Sequence, residues 1–136
     1  MADPRTVADT YYGALERLDA AGAASTLLPD ARIEVPGATF EGPDGFQAWM
    51  QAFFDAFPDI QHDHSDYKIE GDALATELRV WGTHTAPLVS PEGAIPATGR
   101  SMEIFATNRM TFSGDRIAAI TISFDQEGFM HQLGIG

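Results

Sequence analysis

Residues 101–125 read SMEIFATNRMTFSGDRIAAITISFD, and this stretch decides the fold. Met102, Ile104, Ala106, Asn108, Met110 and Phe112 alternate with their neighbours. Successive side chains on a strand point to opposite faces, so these residues share one face of a single long strand. Ser113-Gly114-Asp115 supplies turn chemistry, and residues 116–124 form the last strand. Two long strands joined by a short turn predict an antiparallel sheet with one apolar face that needs a cover.

The cover lies upstream. Asp3 before Pro4 is a helix start, an acceptor at the cap followed by a residue that needs no donor. Val7, Tyr11, Leu15 and Leu18 then mark one helical stripe. Gly22 interrupts it. Leu27 and Leu28 read as a short second helical turn ended by Pro29-Asp30. Ile33 and Val35, alternating with Arg32 and Glu34, read as a half-buried strand. Gly42-Pro43-Asp44-Gly45 reads as a turn. A second strong helix carries Phe46, Met50, Phe53 and Phe57 on one face, with Trp49 nearby, until Pro58 stops it. Residues 60–69 are a polar strand candidate. Leu74, Thr76, Leu78 and Val80 share one face of the next strand, and Trp81 ends it on the other. Gly82 to Gly99, rich in proline and glycine, reads as a long hairpin-like connection. A short segment, 126–133, closes the chain. Helices, a strand, a helix and then antiparallel strands predict one α+β domain over residues 1–136, with the helices on one face of the sheet. A curved sheet so covered can leave an opening, which the aromatic residues of the second helix either line or fill.

Composition bounds the function. With 136 residues, 44% of them apolar, folding buries roughly two thirds of the unfolded surface, enough for a core without staples. There is no cysteine, which excludes disulfides, thiolate metal ligands and a cysteine nucleophile. Only 8 basic residues stand against 20 acidic ones, and the net charge of −12 argues against nucleic acid as a partner. No apolar run is long enough for a membrane span. Met1-Ala2-Asp3-Pro4 lacks the charged and apolar regions of a secretory signal, so the cytoplasm is the expected location.

Asp125 stands out among residues that could carry chemistry. It follows the uncharged run 117–124 and shares strand parity with Ala119, Thr121 and Ser123, small residues suited to a cavity wall. A carboxylate entering an apolar interior there would be a usable acid or base near neutral pH. The alternative is that it caps the following short helix near Glu127 or Gly128. His84 lies just beyond a strand, either shuttling a proton or facing solvent. His62 and His64 share a face that Asp63 does not, and no third ligand follows at useful spacing, so no metal is expected. Asn108 and Thr76 interrupt apolar strand faces, and a buried amide needs partners, internal or ligand. Tyr11 or Tyr12 can direct a hydroxyl inward or pack with its hydroxyl at the rim. There is no phosphate loop, nucleophile elbow or flavin motif, and no cofactor is expected.

Four segments together resemble the SnoaL-like polyketide cyclases of the NTF2-like superfamily. They are Phe54-Asp55-Ala56-Phe57-Pro58-Asp59, Trp81-Gly82-Thr83-His84-Thr85-Ala86-Pro87, Pro96-Ala97-Thr98-Gly99-Arg100, and Asp125 followed by Gln132-Leu133-Gly134. They span roughly residues 5–134. The resemblance implies an α+β cone, a curved antiparallel sheet packed against N-terminal helices around a hydrophobic pocket, and a homodimer. It also implies a cofactor-free intramolecular aldol condensation of an aromatic polyketide ester. In that chemistry Asp125 would be the acid/base, and His84 matches the histidine of the family's Gly-Thr-His stretch. Trp49, Phe53, Phe57 and Trp81 would offer flat walls to a polycyclic substrate, with Tyr11, Asn108, Arg109, Thr111 and Thr121 as further contacts.

The sequence departs from the family pattern after Gly114-Asp115-Arg116-Ile117, where Ala119 and Thr121 replace the usual Glu and Trp. Arg109 and Thr111 are the nearest polar candidates on the preceding strand, where a histidine is often found. Related proteins of the same cone run epoxide opening, isomerisation, dehydration or hydroxylation, and some only bind. Those readings stand beside the cyclase. Glu77, Arg79, Glu103 and Arg109 fall on the outer strand faces, so an interface between copies there would be mixed in charge.

Overall fold

The Asp3 carboxylate accepts from the Arg5 N–H at 2.9 Å and opens helix α1, Pro4–Glu16. α2, Ala20–Ala24, is capped by Asp19 on the Gly22 N–H. The strands β1 (Leu27–Val35) and β2 (Ala38–Glu41) follow, then helix α3 (Pro43–Ala56). Next come β3 (Gln61–His64), β4 (Lys68–Glu70), β5 (Ala73–Thr83), β6 (Leu88–Ser90) and β7 (Gly93–Ile95). The long strands β8 (Ser101–Ser113) and β9 (Arg116–Ser123) and helix α4 (Gln126–Gln132) complete the chain. The computed structural model describes residues 3–90 and 93–135. The Met1-Ala2 part of the N-terminal reading, two residues of the 82–99 connection and the last residue of the 1–136 domain lie outside them. Among the described residues no helix is long and apolar enough to cross a membrane.

Seven strands form one sheet in the order β2-β1-β9-β8-β5-β3, with β4 also paired to β5. The architecture is α+β, helices packed on one face of a largely antiparallel sheet, the NTF2-like cone. One pairing differs from the expected antiparallel pattern: β1 runs parallel to β9, matching Ile33 to Ile120. Leu27 and Leu28 belong to β1, where a helical turn was expected. Pro29 sits where the β1–β9 register shifts between Leu27 and Arg32, an irregularity that accommodates a residue with no N–H. The 82–99 connection carries the small hairpin β6–β7.

The inner face of the sheet follows the predicted alternation on β5 and β8. Thr76 pairs with Asn108 and Leu78 with Ala106, all inward. Ile33, Phe46, Met110, Ile117 and Ile120 are essentially fully buried beneath the helices. A second core lies at the far end of α3, where Ala56, Phe57, Leu88, Met102, Phe129 and Leu133 meet.

That end of α3 is locked to β5. The Ala56 carbonyl accepts from the N–H groups of Thr85 and Ala86 at 3.1 and 3.3 Å. The Asp59 carboxylate accepts from the Thr83 N–H at 2.7 Å and its hydroxyl at 2.8 Å. These bonds hold the Asp59 carboxyl below its ordinary range. Gly82 makes the approach possible: a Cβ there would lie 3.2 Å from the Ile60 Cα and 3.4 Å from the Phe57 Cβ. Helix α4 closes the same end. The Gln132 amide accepts from the Glu103 N–H at 2.7 Å and donates to the Glu103 carbonyl at 2.9 Å, like a short extra rung beside β8.

Gly82→Ala should therefore destabilise the protein by about 1–3 kcal/mol, the usual cost of forcing a methyl into packed backbone. Urea unfolding followed by circular dichroism measures this. A midpoint equal to wild type would show that the joint has slack.

Candidate active site

The cavity is built by three layers of side chains. Tyr11 and Leu15 of α1 contribute one wall, and Trp49, Met50, Phe53 and Phe54 of α3 form another. The floor is the inner face of the sheet: Leu78 and Val80 of β5, Ile104, Ala106 and Asn108 of β8, and Ile122 of β9, followed by Phe124. The space is about 110 Å³, open to solvent and almost wholly apolar. Trp49 meets Phe53 edge to face at 4.9 Å and stacks on Phe46 at 5.8 Å, so each ring is held by its neighbour.

Of the residues expected at the site, the structure brings Tyr11, Trp49, Phe53 and Asn108 together around this cavity. The others lie elsewhere. Phe57 is fully buried in the second core, beyond the cavity wall. Trp81 faces away from the helices, on the outer face of the sheet, with the Arg79 guanidinium 4.5 Å over its ring. Arg109 lies on that outer face too, bonded to Glu70 at 2.9 Å. Thr111 and Thr121 also face outward, paired with Ala119 and Arg109 respectively.

The face expected for the Asp125 run needs correction: Ala119, Thr121 and Ser123 keep one parity but face out. Opposite Thr111 and Phe112, β9 places Ala119 and Ile117, leaving Ala118 as an extra, unpaired residue. This bulge shifts the alternation. The inward side chains are Ile117, Ile120 and Ile122, while Ala119, Thr121 and Ser123 face out. The Asp125 carboxylate is exposed and caps α4, accepting from the Gly128 N–H at 3.0 Å. Gly128 leaves it the space, since a Cβ there would lie 2.5 Å from Oδ2. Ile122 and Phe124 are among the cavity residues missing from the sequence reading, and they alternate with the outward Thr121 and Ser123.

His84 is neither at the cavity nor in solvent. It is fully buried at the α3–β5 joint, its ring stacked on Phe57 at 5.2 Å. Its Nδ1 accepts from the Thr98 N–H at 3.3 Å and lies 3.0 Å from the Thr98 hydroxyl. An accepting Nδ1 places the proton of the neutral ring on Nε2, which is buried without a hydrogen bond of good geometry. Burial holds the imidazole below the usual histidine range, and a backbone contact from Ala86 opposes this more weakly.

The remaining polar residues form a cluster beside the cavity. Tyr12 is buried, stacked on His64 at 4.7 Å, and its hydroxyl accepts from the Asn108 amide at 3.0 Å. Burial raises the Tyr12 phenol to about 12 and the Tyr11 phenol well above its ordinary value. Burial also lowers His62, with Glu16 acting against it. Among the described residues no group of three His, Asp or Glu side chains is arranged to hold a metal ion.

A fold of this kind, with an apolar cavity between helices and sheet, can be compared with known proteins. Residues 8–120 match the family model of the SnoaL-like domain. The chain belongs to the SnoaL-like family. A solved structure of IdmH from Streptomyces antibioticus, described as a candidate polyketide cyclase, is 25% identical with a TM-score of 0.76. The match covers 98% of this chain and 100% of that one. A candidate SnoaL-like polyketide cyclase from Jannaschia is 15% identical with a TM-score of 0.80, covering 100% and 98% of the two chains. AclR from Streptomyces galilaeus, described as a candidate hydroxylase, is 19% identical with a TM-score of 0.77, covering 96% and 94%. No curated protein sequence matches the chain.

The neutral, buried His84 sets a pH dependence. Its folded pKa lies below the unfolded value of about 6.5, so the unfolded chain binds the extra proton. Stability is complete above about pH 7 and falls as the pH drops through the unfolded value toward the folded one. His62 adds in the same direction. His84→Phe should lower the melting temperature at pH 8, because the Thr98 donors lose their acceptor. It should also flatten the decline between pH 8 and 5, measured by calorimetry. A variant with the full wild-type slope would remove His84 as its source.

Proposed function

We propose that this SnoaL-like domain is a cofactor-free cytoplasmic enzyme that converts a hydrophobic small molecule seated in the α1–α3–sheet cavity. The chemistry favoured is aldol closure of an aromatic polyketide ester. The observation that carries the reading is the aromatic-walled cavity itself, whose wall residue Phe124 is followed directly by Asp125. Asp125 is exposed and outside the cavity lining, so in this reading the substrate projects past Phe124 to reach its carboxylate. Oδ1 is engaged by the helix cap, leaving Oδ2 to take a proton.

The steps balance with this one group. Asp125 removes a proton α to a ketone and an ester, and the substrate's conjugation spreads the enolate charge. The enolate carbon forms a bond to the facing ketone carbon. The resulting alkoxide takes the proton back from the Asp125 carboxyl. The cavity contributes by holding the two carbons together, which removes much of the entropic part of the barrier. His84, stacked and hydrogen-bonded at the joint, acts here by positioning α3 and not by touching substrate.

A binding-only reading is favoured by a different observation: among the described residues no carboxylate or histidine lines the cavity. Closure of an anthraquinone β-keto ester, followed by absorbance and chiral chromatography, separates the two. Turnover by wild type with a loss of about a hundredfold or more in Asp125→Asn supports general-base catalysis. Equal rates would remove Asp125 from the chemistry. A folded wild type that binds the ester without accelerating closure would leave binding alone.

The same proposal includes a homodimer through the outer sheet face. Phe105 is 68% exposed there, beside Asp63, Glu77 and Arg79. Both charge signs on one face suit a self-complementary two-fold contact. Light scattering should give roughly twice the 14.7 kDa of one chain, and Phe105→Glu should shift the protein to monomer. A wild-type monomer at micromolar concentration would sink this part.

A further inference from the structure

Asn108 is 2% exposed and lines the cavity, the sole side-chain amide among the described residues to do so. Its Nδ2 is committed to the Tyr12 hydroxyl at 3.0 Å. Its Oδ1 is buried and has no hydrogen-bond partner. Thr76, directly opposite on β5, does not supply one: its Oγ1 is buried against the Tyr12 hydroxyl. Leaving a carbonyl oxygen unpaired in an apolar setting is costly, and native structures rarely do so without a use.

The size of the cavity restricts what can satisfy it. An enclosed apolar cavity of about 150 Å³ holds one benzene molecule. The 110 Å³ here, open on one side, accommodates about one six-membered ring, with the rest of a larger molecule outside. The Trp49 and Phe53 rings offer apolar faces to that ring.

We propose that the site admits a single terminal ring bearing a hydrogen-bond donor, a phenol or enol hydroxyl, which donates to Asn108 Oδ1. This rests on the reading of the cavity as the substrate site and deepens it by naming the recognised group and the orientation. The hydroxylated ring goes in first, and the remainder of the molecule stays at the mouth. Because Tyr12 holds Nδ2, the amide presents an acceptor, so a ring whose oxygen can only accept is disfavoured. Discrimination arises from an unpaired buried atom, which rejects the wrong ligand more strongly than apolar packing alone can.

The test is isothermal titration of the wild-type protein with p-cresol, 4-methylanisole and p-xylene, which share a ring and differ in the donor. p-Cresol should bind about tenfold or more tightly than either of the others. Asn108→Leu keeps the bulk and removes the acceptor. It should weaken p-cresol to the level of p-xylene while leaving p-xylene binding in place, which also shows that the variant is folded. If that variant fails to fold, the wild-type series decides alone. Equal binding of the three ligands would overturn the donor-specific role of Asn108 and leave the cavity reading intact. Binding of none of them would overturn both.

Discussion

The structure depends on how closely the end of α3 can approach the end of β5. Backbone packs on backbone at Gly82, and every neighbouring feature is set by that distance. Asp59 reaches the Thr83 N–H, the Ala56 carbonyl reaches two amides, and the Phe57 ring reaches the His84 ring. With α3 fixed at this end, its middle turns stand over the sheet at a height set by Trp49 and Phe53. The cavity is the space left beneath them. An interior normally fills to crystal-like density. Here the large rings hold one another apart from the floor, and small residues such as Ala106 leave the floor low.

The four sequence segments behind the family resemblance converge on that same end of the molecule. Phe57-Pro58-Asp59 meets Gly82-Thr83-His84, and Thr98-Gly99-Arg100 wraps the histidine: the His84 N–H donates to the Arg100 carbonyl and the Gly99 N–H to the His84 carbonyl. Gln132 stitches α4 to β8, and Gly134 lies against the Arg100 side chain. The family signature is therefore largely a signature of assembly. This explains how residues that identify the family so readily can lie outside the cavity where a substrate would sit.

What was legible in the sequence follows from which forces are local. Helical stripes at Val7–Tyr11–Leu15 and Phe46–Met50–Phe53 are periodic within a few turns, and β5 and β8 alternate without interruption. These elements, and hence the fold class, could be read directly. The parallel β1–β9 pairing joins residues far apart in sequence and has no local mark. Pro29 reads as a helix stop until the irregular pairing that tolerates it is seen. Ala118 is the most consequential case. A single extra residue breaks the alternation between Ile117 and Ala119, so that Ile117 and Ile120 both face in and the run Ala119, Thr121 and Ser123 faces out. Four of the eleven candidate residues, Tyr11, Trp49, Phe53 and Asn108, line the cavity, on elements whose periodicity is uninterrupted. The other candidates lie outside the cavity lining: Phe57 and His84 are buried in or beside the second core, Trp81, Arg109, Thr111 and Thr121 are on the outer face, and Asp125 is at the α4 cap.

The sheet separates the molecule's two tryptophans. Trp49 lines the interior space, while Trp81 lies on the outer face beneath a guanidinium. Their indoles thus report on different compartments. Occupation of the interior would alter the emission of Trp49 and leave Trp81 unchanged, and burial of the outer face would do the reverse. One chain carries two optical channels, and replacing either indole by phenylalanine leaves the other to be read by itself.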